Sequence, residues 1–359
     1  MKAHTDNPLV SVIVPNHNHA KYLPERLSSI INQTFQDFEL IILDDASTDN
    51  SLEIISRCVG HLPHRLITND ENSGSVFRQW DKGISLAKGE LIWIAESDDV
   101  ADPGLLEKVV RKLVESGAAL AYCQSLSIDS DGNVTGDLKY LTDEYSPDLW
   151  SSDFVVNGVY LCANYLAIMN VIPNASAVVF RRKFYIDPLT IIHHVKLIGD
   201  WALWAHIAMQ GTVAFISEPL NKFRSGLYSV RTREEKDCFK DVIDLAALIL
   251  EQTHAYEHKD GTLLIRHRLV SLWLKIGLEP ASPFNWIKRR KAYRVLYNLY
   301  GCKLLLIILQ DVPEHIFRRL PKKIVQWLIR QWYTRLLPVA LFPRDCFRKL
   351  YRAIKGHNE

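Results

Sequence analysis

Five acids in two tight groups, Asp44 and Asp45 and then Glu96, Asp98 and Asp99, are the residues best placed to do chemistry. Gathering carboxylates costs Coulomb energy unless a cation lies among them. A hard divalent ion, Mn2+ or Mg2+, held by one or two carboxylates plus phosphate oxygens is the usual resolution. Such an ion can neutralise a departing diphosphate and so act as the Lewis acid of a group transfer. The competing reading is structural: Asp98-Asp99 would cap a helix starting near Pro103, as acids do at helix N-termini.

Each group follows a strand-like run. Val10 to Pro15 is rich in β-branched residues and leads into the polar loop Asn16-His17-Asn18-His19. Phe38 to Leu43 ends at Asp44-Asp45, and Leu91 to Ala95 ends at Glu96. Helical spacing of apolar residues predicts helices over Tyr22 to Ile31, Ser51 to Val59 and Val76 to Ala87, with a short strand at Arg65 to Thr68. Strands of near-continuous apolar character alternating with helices predict an α/β domain whose central sheet is mostly parallel and covered on both faces. Ligands of such sheets sit outside the carboxyl ends of the strands, where both acid groups fall.

Further on, Leu120 to Ile128, Ser176 to Phe180 and Val213 to Ile216 read as strands, and Trp201 to Gln210 as a helix preceded by Gly199-Asp200. Beyond Arg233 the pattern turns helical, at Phe239 to Glu251, Ile265 to Ile276 and Ile324 to Leu337. A boundary near 234 divides an N-terminal domain, 1–233, from a basic, amphipathic helical region, 234–359.

The near-neutral total hides an asymmetry. Ala281 to Glu359 holds 17 Lys+Arg against 4 Asp+Glu, a net of +13, so the first 280 residues carry −11 of the overall +2. Basic helices flanked by Trp and Tyr suit an anionic membrane surface, and a helical bundle with a solvated basic face is the alternative. Nucleic acid is not expected. The longest apolar run of the tail, Leu304 to Leu309, is far short of the roughly 18–20 residues of a spanning helix. Met1 to Pro8 lacks the apolar stretch of a signal peptide, and six scattered cysteines form no CxxC pair. Both features predict a cytoplasmic protein, held peripherally on the inner face of the cytoplasmic membrane if the tail binds lipid.

Four strings, SVIVPNHN (11–18), LDDASTDNS (43–51), AKGELIWIAESDD (87–99) and GDWALW (199–204), occur in an order that resembles the inverting family 2 glycosyltransferases. The resemblance spans roughly Pro8 to Arg233. It implies a GT-A fold that binds a nucleoside diphosphate sugar with a divalent metal. By position, Pro15 and Asn18 would cradle nucleobase and ribose, Asp44 would accept a hydrogen bond from a pyrimidine, and Asp45 would be structural. Asn72, in the turn Asn72-Ser73-Gly74, would lie close to the nucleotide. Glu96, Asp98 and Asp99 would form the metal motif, with Asp98 also near the nucleotide. Asp200 would be the general base, a role compatible with capping the helix at Trp201, and Arg224 would approach the diphosphate.

The chain departs from the family pattern at four places. Glu96 stands where Asp is commoner, Asp81 where Asn is usual and Gly199 where a second acid is usual, and the His common after Arg224 is absent from RSGLYSVR, which keeps Ser229 and Arg231. His17 and His19 read as a solvated loop, Asn174 as bordering an acceptor pocket, and Trp201 and Trp204 as core or sugar-stacking residues.

The function implied is transfer from a UDP- or dTDP-linked hexose or N-acetylhexosamine to a glycan or polyprenyl-linked acceptor, in surface polysaccharide or lipopolysaccharide biosynthesis. Two enzyme readings fail: NHNHAKY has no glycine to cradle a triphosphate, and no GxGxxG follows an early strand. A catalytically silent nucleotide-binding or scaffold protein on the same fold is the remaining alternative.

Overall fold

A computed structural model describes residues 7–60, 62–143, 146, 148–167, 169–172, 174–191, 198–225 and 239–253. The chain divides into two compact units, residues 1–235 and 236–359. In the first unit the elements are β1 (Val10–Asn16), α1 (Leu23–Ile31), β2 (Phe38–Asp44), α2 (Ser51–Val59), β3 (Arg65–Thr68), α3 (Val76–Leu86), β4 (Leu91–Ile94), β5 (Val100–Ala101), α4 (Leu105–Ser116), β6 (Leu120–Ile128) and β7 (Val134–Asp137). They continue with α5 (Tyr140–Asp143), β8 (Phe154–Asn157), α6 (Gly158–Leu161), β9 (Val178–Arg181), α7 (Pro188–Ile191), α8 (Gly199–Ala208) and β10 (Thr212–Arg224). In the second unit α9 (Phe239–Gln252) buries Leu245, Ala246 and Ile249 at helical spacing.

One mixed sheet runs β3-β2-β1-β4-β9-β6-β10-β5, with β7 beside β6 and β8 beside β10. β1, β2, β3, β4, β6 and β10 point one way, and β5, β7, β8 and β9 run against them. All seven residues of β1 are buried, as expected for a strand covered on both faces. Val10, Val12 and Val14 join Leu23, Leu27 and Ile30 of α1 and Ile55 and Val59 of α2 in one core cluster. On the opposite face Gly83 lets α3 press onto β1 and β2. A Cβ there would fall 2.5 Å from Ile13 Cγ2 and 3.0 Å from Leu43 Cδ1.

Three expectations are corrected by position. Asp98-Asp99 do not cap the next helix, because β5 intervenes and α4 starts at Leu105 behind Gly104. The α4 N-terminus is served instead by Gln33, whose Oε1 accepts from Leu106 N at 2.8 Å. β10 is far longer than Val213 to Ile216. It runs through Glu218-Pro219, where its register against β6 shifts, since proline has no N–H for the ladder. β9 begins at Val178 rather than Ser176, because Asn174 Oδ1 accepts from Ala177 N and winds residues 175–177 into a 3-10 turn. Among the described residues no helix is long and apolar enough to cross a membrane. The helices expected at Ile265 to Ile276 and Ile324 to Leu337 lie outside the described residues, as do Ser229 and Arg231.

Candidate active site

β1 lies between β2 and β4, so the strand order reverses there, and a crevice forms where neighbouring loops depart in opposite directions. Pairing of β1 with β4 ends at Ile13 and Ile94, while pairing with β2 continues to Asn16 and Asp44. The oxygens of Leu9 and Ile13 bond on the β4 side and that of Asn16 on the β2 side. By alternation Pro15 faces β4 beyond its last rung, so its missing N–H breaks no rung. The loops after β1 and β4 meet across the crevice, His19 Nδ1 lying 2.7 Å from Ser97 Oγ.

The first acid pair is balanced by neutral donors. Asp44 is buried. Its Oδ2 accepts from Asn16 Nδ2 at 2.9 Å and its Oδ1 from Ser47 N at 3.0 Å. Each carboxylate oxygen can accept more than one bond, so both keep capacity for a ligand. Asp45 is used up by the fold. Its Oδ1 accepts from Asn69 Nδ2 (2.6 Å), Ser73 N (2.9 Å) and Gln79 Nε2 (2.9 Å), and its Oδ2 from Ser73 Oγ (2.7 Å).

Asn18 sits in the left-handed region at φ 57°, which Asn tolerates best among residues with a side chain. Its Oδ1 accepts from Thr48 N at 2.7 Å and Asp49 N at 3.3 Å, tying the β1 loop to the start of α2. Asn72 Nδ2 lies 3.0 Å from His17 Nε2, and Gly74 N donates to Asn72 Oδ1 at 2.6 Å. Asn16, which sequence reasoning passed over, is buried beside Asp44 with its Oδ1 unpartnered.

The second group has far fewer hydrogen-bond donors for its burial. Glu96 Oε1 accepts from the Trp80 indole at 2.8 Å. Burial, then the Asp98 charge, pushes Glu96 up to about 8. Asp99 is buried and is raised by the same two causes to about 7, although Arg224 N donates to its Oδ1 at 2.9 Å. The half-buried Asp98 carboxylate makes no hydrogen bond or ion pair with a described residue. Arg224 is buried: its Nε donates to Asp98 O (2.7 Å), Nη1 to Asp129 O (2.7 Å) and Nη2 to Glu25 Oε2 (2.8 Å), and its guanidinium lies over the Tyr22 ring. A diphosphate would have to compete with these partners for it.

Among the described residues no three His, Cys, Asp or Glu side chains converge as a ready-made metal site. The donor set still fits a hard ion of the Mn2+ or Mg2+ kind, which takes one or two carboxylates and completes its shell with phosphate oxygens and water. Asp98, with an unengaged carboxylate, and Asp99 beside it are the groups placed to supply them. Glu96 is turned inward by Trp80.

Asp200 stands in the first turn of α8, behind Ile198 as cap and not itself the cap. Asn170 Nδ2 donates to its Oδ2 at 3.1 Å. α8 is apolar all round and buried. Trp201 and Trp204 are therefore core residues: the indole N–H of Trp201 reaches Leu166 O, and Trp204 packs on Trp80 and Phe180. Gly199 is explained by Phe77, three of whose ring atoms would lie 2.5–2.8 Å from a Cβ. An acid there would need that ring moved. Phe77 in turn meets Trp80 edge-on, so the helix bearing Asp200 leans on the same indole that holds Glu96. Asn174 is buried, and its amide bonds to Ser125 and Asn221.

Residues 11–154 match the family described as Glycosyl transferase family 2. A glycosyltransferase named GlyG from Streptococcus pneumoniae serotype 4 is 38% identical over 126 residues, which is 35% of this chain and 42% of that protein. The chondroitin synthase of Pasteurella multocida is 34% identical over 128 residues, 35% of this chain and 13% of that one. The chain thus spans less than half the length of these relatives. The crystal structure of S. aureus TarS 1-349 in complex with UDP-GlcNAc superimposes with a TM-score of 0.56 at 16% identity, covering 97% of this chain and 91% of that one. With acid-tipped loops at the switch point of its sheet, the chain has a GT-A-like α/β fold whose residues 11–154 match the glycosyltransferase family 2 model.

Proposed function

We propose that the chain transfers a sugar, with inversion, from a UDP- or dTDP-linked donor to a hydroxyl of a glycan or polyprenyl-linked acceptor, in the building of surface polysaccharide or lipopolysaccharide. The observation that carries this reading is the pair of acid-tipped loops flanking the β1–β4 crevice inside a family 2 domain. A UDP-linked hexose or N-acetylhexosamine is favoured by the relative named for chondroitin synthesis and the fold neighbour solved with UDP-GlcNAc.

In this reading Pro15, Asn18, Asp44 and Asn72 surround the nucleoside, and Asp44 accepts from the base while Asn16 and Ser47 keep its carboxylate oriented. Asp98 and Asp99 hold a divalent ion, which supplies charge neutralisation to the departing diphosphate. Arg224 holds the acidic loop in place and meets the diphosphate if that group displaces one of its present partners. Asp200 takes the proton of the acceptor hydroxyl as it attacks the anomeric carbon, with Asn170 fixing the carboxylate plane. The basic segment from Ala281 to Glu359 would place the protein at an anionic cytoplasmic membrane surface, where a lipid-linked acceptor resides.

The test is turnover of a UDP-, dTDP- and GDP-sugar panel with Mn2+ and lipid-linked acceptors, for the native chain and Asp200→Asn. General-base loss should lower transfer by about 10²–10⁴-fold and leave UDP affinity unchanged. Equal transfer rates would remove Asp200 from the chemistry. Nucleotide binding with no turnover of any donor would favour the silent scaffold.

A further inference from the structure

Arg26 lies on the buried stripe of α1 between Leu23 and Ile30, where apolar side chains belong. Its exposure is 0%, and Nε, Nη1 and Nη2 all lack a hydrogen-bond partner. A guanidinium has five donors, and burying one unpaired is among the costliest arrangements a fold can hold. Its one direct contact of note is the Trp93 ring, 5.0 Å away, and a cation over an indole recovers only part of that cost.

The surroundings explain the placement. The turn of α1 that carries Arg26 grips the Glu96–Asp99 loop at both ends. On one side the guanidinium lies over Trp93 of β4, just before the loop. On the other, Ala101 N of β5 donates to Ser29 Oγ at 3.2 Å, and Ser29 Oγ donates to Arg26 O at 2.8 Å. Trp93 is itself fixed, its indole donating to Ser176 O at 2.8 Å, while Ser176 Oγ accepts from Glu96 N at 3.1 Å. Burial lowers Arg26 to about 10, and the charges of Asp99, Glu96 and Asp98, in that order, act against the fall. Arg26 is therefore cationic at neutral pH, beside a loop whose three acids are the charges that favour its charged form.

We propose that Arg26 is a fixed counter-cation of the Glu96–Asp99 loop, a positioning residue that keeps its carboxylates gathered before any ion or donor arrives. One consequence rests on the reading of this loop as the ion site. A resident positive charge competes with a divalent ion, so the loop binds Mn2+ more weakly than the same acids would alone. The protein then holds the ion chiefly when a diphosphate adds its own negative charge.

Two measurements test this on the full chain. The first needs no ion: urea unfolding of Arg26→Met, Asp98→Asn and the double variant, metal-free. The counter-cation account expects non-additivity, the Arg26→Met change costing less when Asp98 is already neutral. Arg26→Lys, which keeps the charge and guards against simple misfolding of the Met variant, should remain coupled to Asp98→Asn. Additive effects, or a Lys variant that behaves like Met, would overturn the proposal and leave Arg26 a packing residue. The second is Mn2+ titration without nucleotide, where Arg26→Met should bind about tenfold more tightly than the native chain and gain more thermal stability from the ion. Unchanged Mn2+ affinity at a loop that does bind the ion counts against the proposal. Coupling in urea with Mn2+ bound by neither protein would uphold the counter-cation and overturn the ion-site reading instead.

Discussion

The loop after β2 and the loop after β4 both place buried carboxylates at strand ends, and the fold balances them by opposite means. Asp44 and Asp45 are met by neutral donors: two asparagine amides, a glutamine amide, one serine hydroxyl and two backbone amides. Glu96 and Asp99 receive few bonds for their burial, Asp99 taking one from the Arg224 backbone, and the opposing positive charge comes from Arg26. A carboxylate saturated by hydrogen bonds is part of the frame. One left facing other carboxylates, with Asp98 unengaged at its side, is placed to meet a ligand of opposite charge.

The comparison can be broken most forcefully at Asp45. Asp45→Ala strands donors of Asn69, Ser73 and Gln79, each costing about 1–3 kcal/mol when unpaired, so unfolding in urea should show a loss of about 3 kcal/mol or more. A loss of Mn2+-dependent nucleotide binding without that loss of stability would put Asp45 in the ligand-facing class. Gly199→Asp comes next. Crowding Phe77 should cost about 1–3 kcal/mol, and Phe77→Leu in the same chain should return most of it. No relief from the second change would mean that position 199 is constrained by something other than that ring.

At Asp44 the expected effect is smaller and falls on binding. Asp44→Asn keeps the shape but loses the charge, and UDP affinity should fall about tenfold, or about 1.4 kcal/mol, in calorimetry. An unchanged affinity would make Asp44 as structural as its neighbour.

The gentlest test is pH. Glu96 ordinarily titrates near 4.5 and is pushed to about 8, and Asp99 is raised in the same direction. The folded protein then holds protons that the unfolded chain releases between those values, so metal-free stability should decline as pH rises from about 4.5 to about 8. Mn2+ should flatten that slope, and so should Glu96→Gln. A slope of opposite sign would show that these acids are not raised at all.

Much of this is legible in the sequence. Strands β1, β2 and β6 and helices α1 and α2 announce themselves because their apolar runs are long and bounded by polar turns. β7 escapes notice because its four residues, VTGD, are all exposed, and β10 because Glu218-Pro219 interrupts its apolar pattern. In the site, the acid pairs could be found because they follow strands. What sequence alone could not supply was their division of labour, which depends on donors 24 to 34 residues away in the chain. Arg26 did leave a signal, a charge on the stripe Leu23, Leu27, Ile30. Its meaning needed the loop that lies over it.

The central claim, that the β1–β4 crevice binds a nucleoside diphosphate together with a divalent ion held by the second acid group, is tested most directly by calorimetry. UDP, dTDP and GDP would be titrated into the native chain, Asp44→Ala and Asp99→Ala, with and without Mn2+. The account predicts UDP or dTDP binding that Mn2+ strengthens, weakened by Asp44→Ala in both conditions and stripped of its Mn2+ dependence by Asp99→Ala. Nucleotide binding indifferent to Mn2+ and to Asp99, or no binding to the native chain at all, would contradict it.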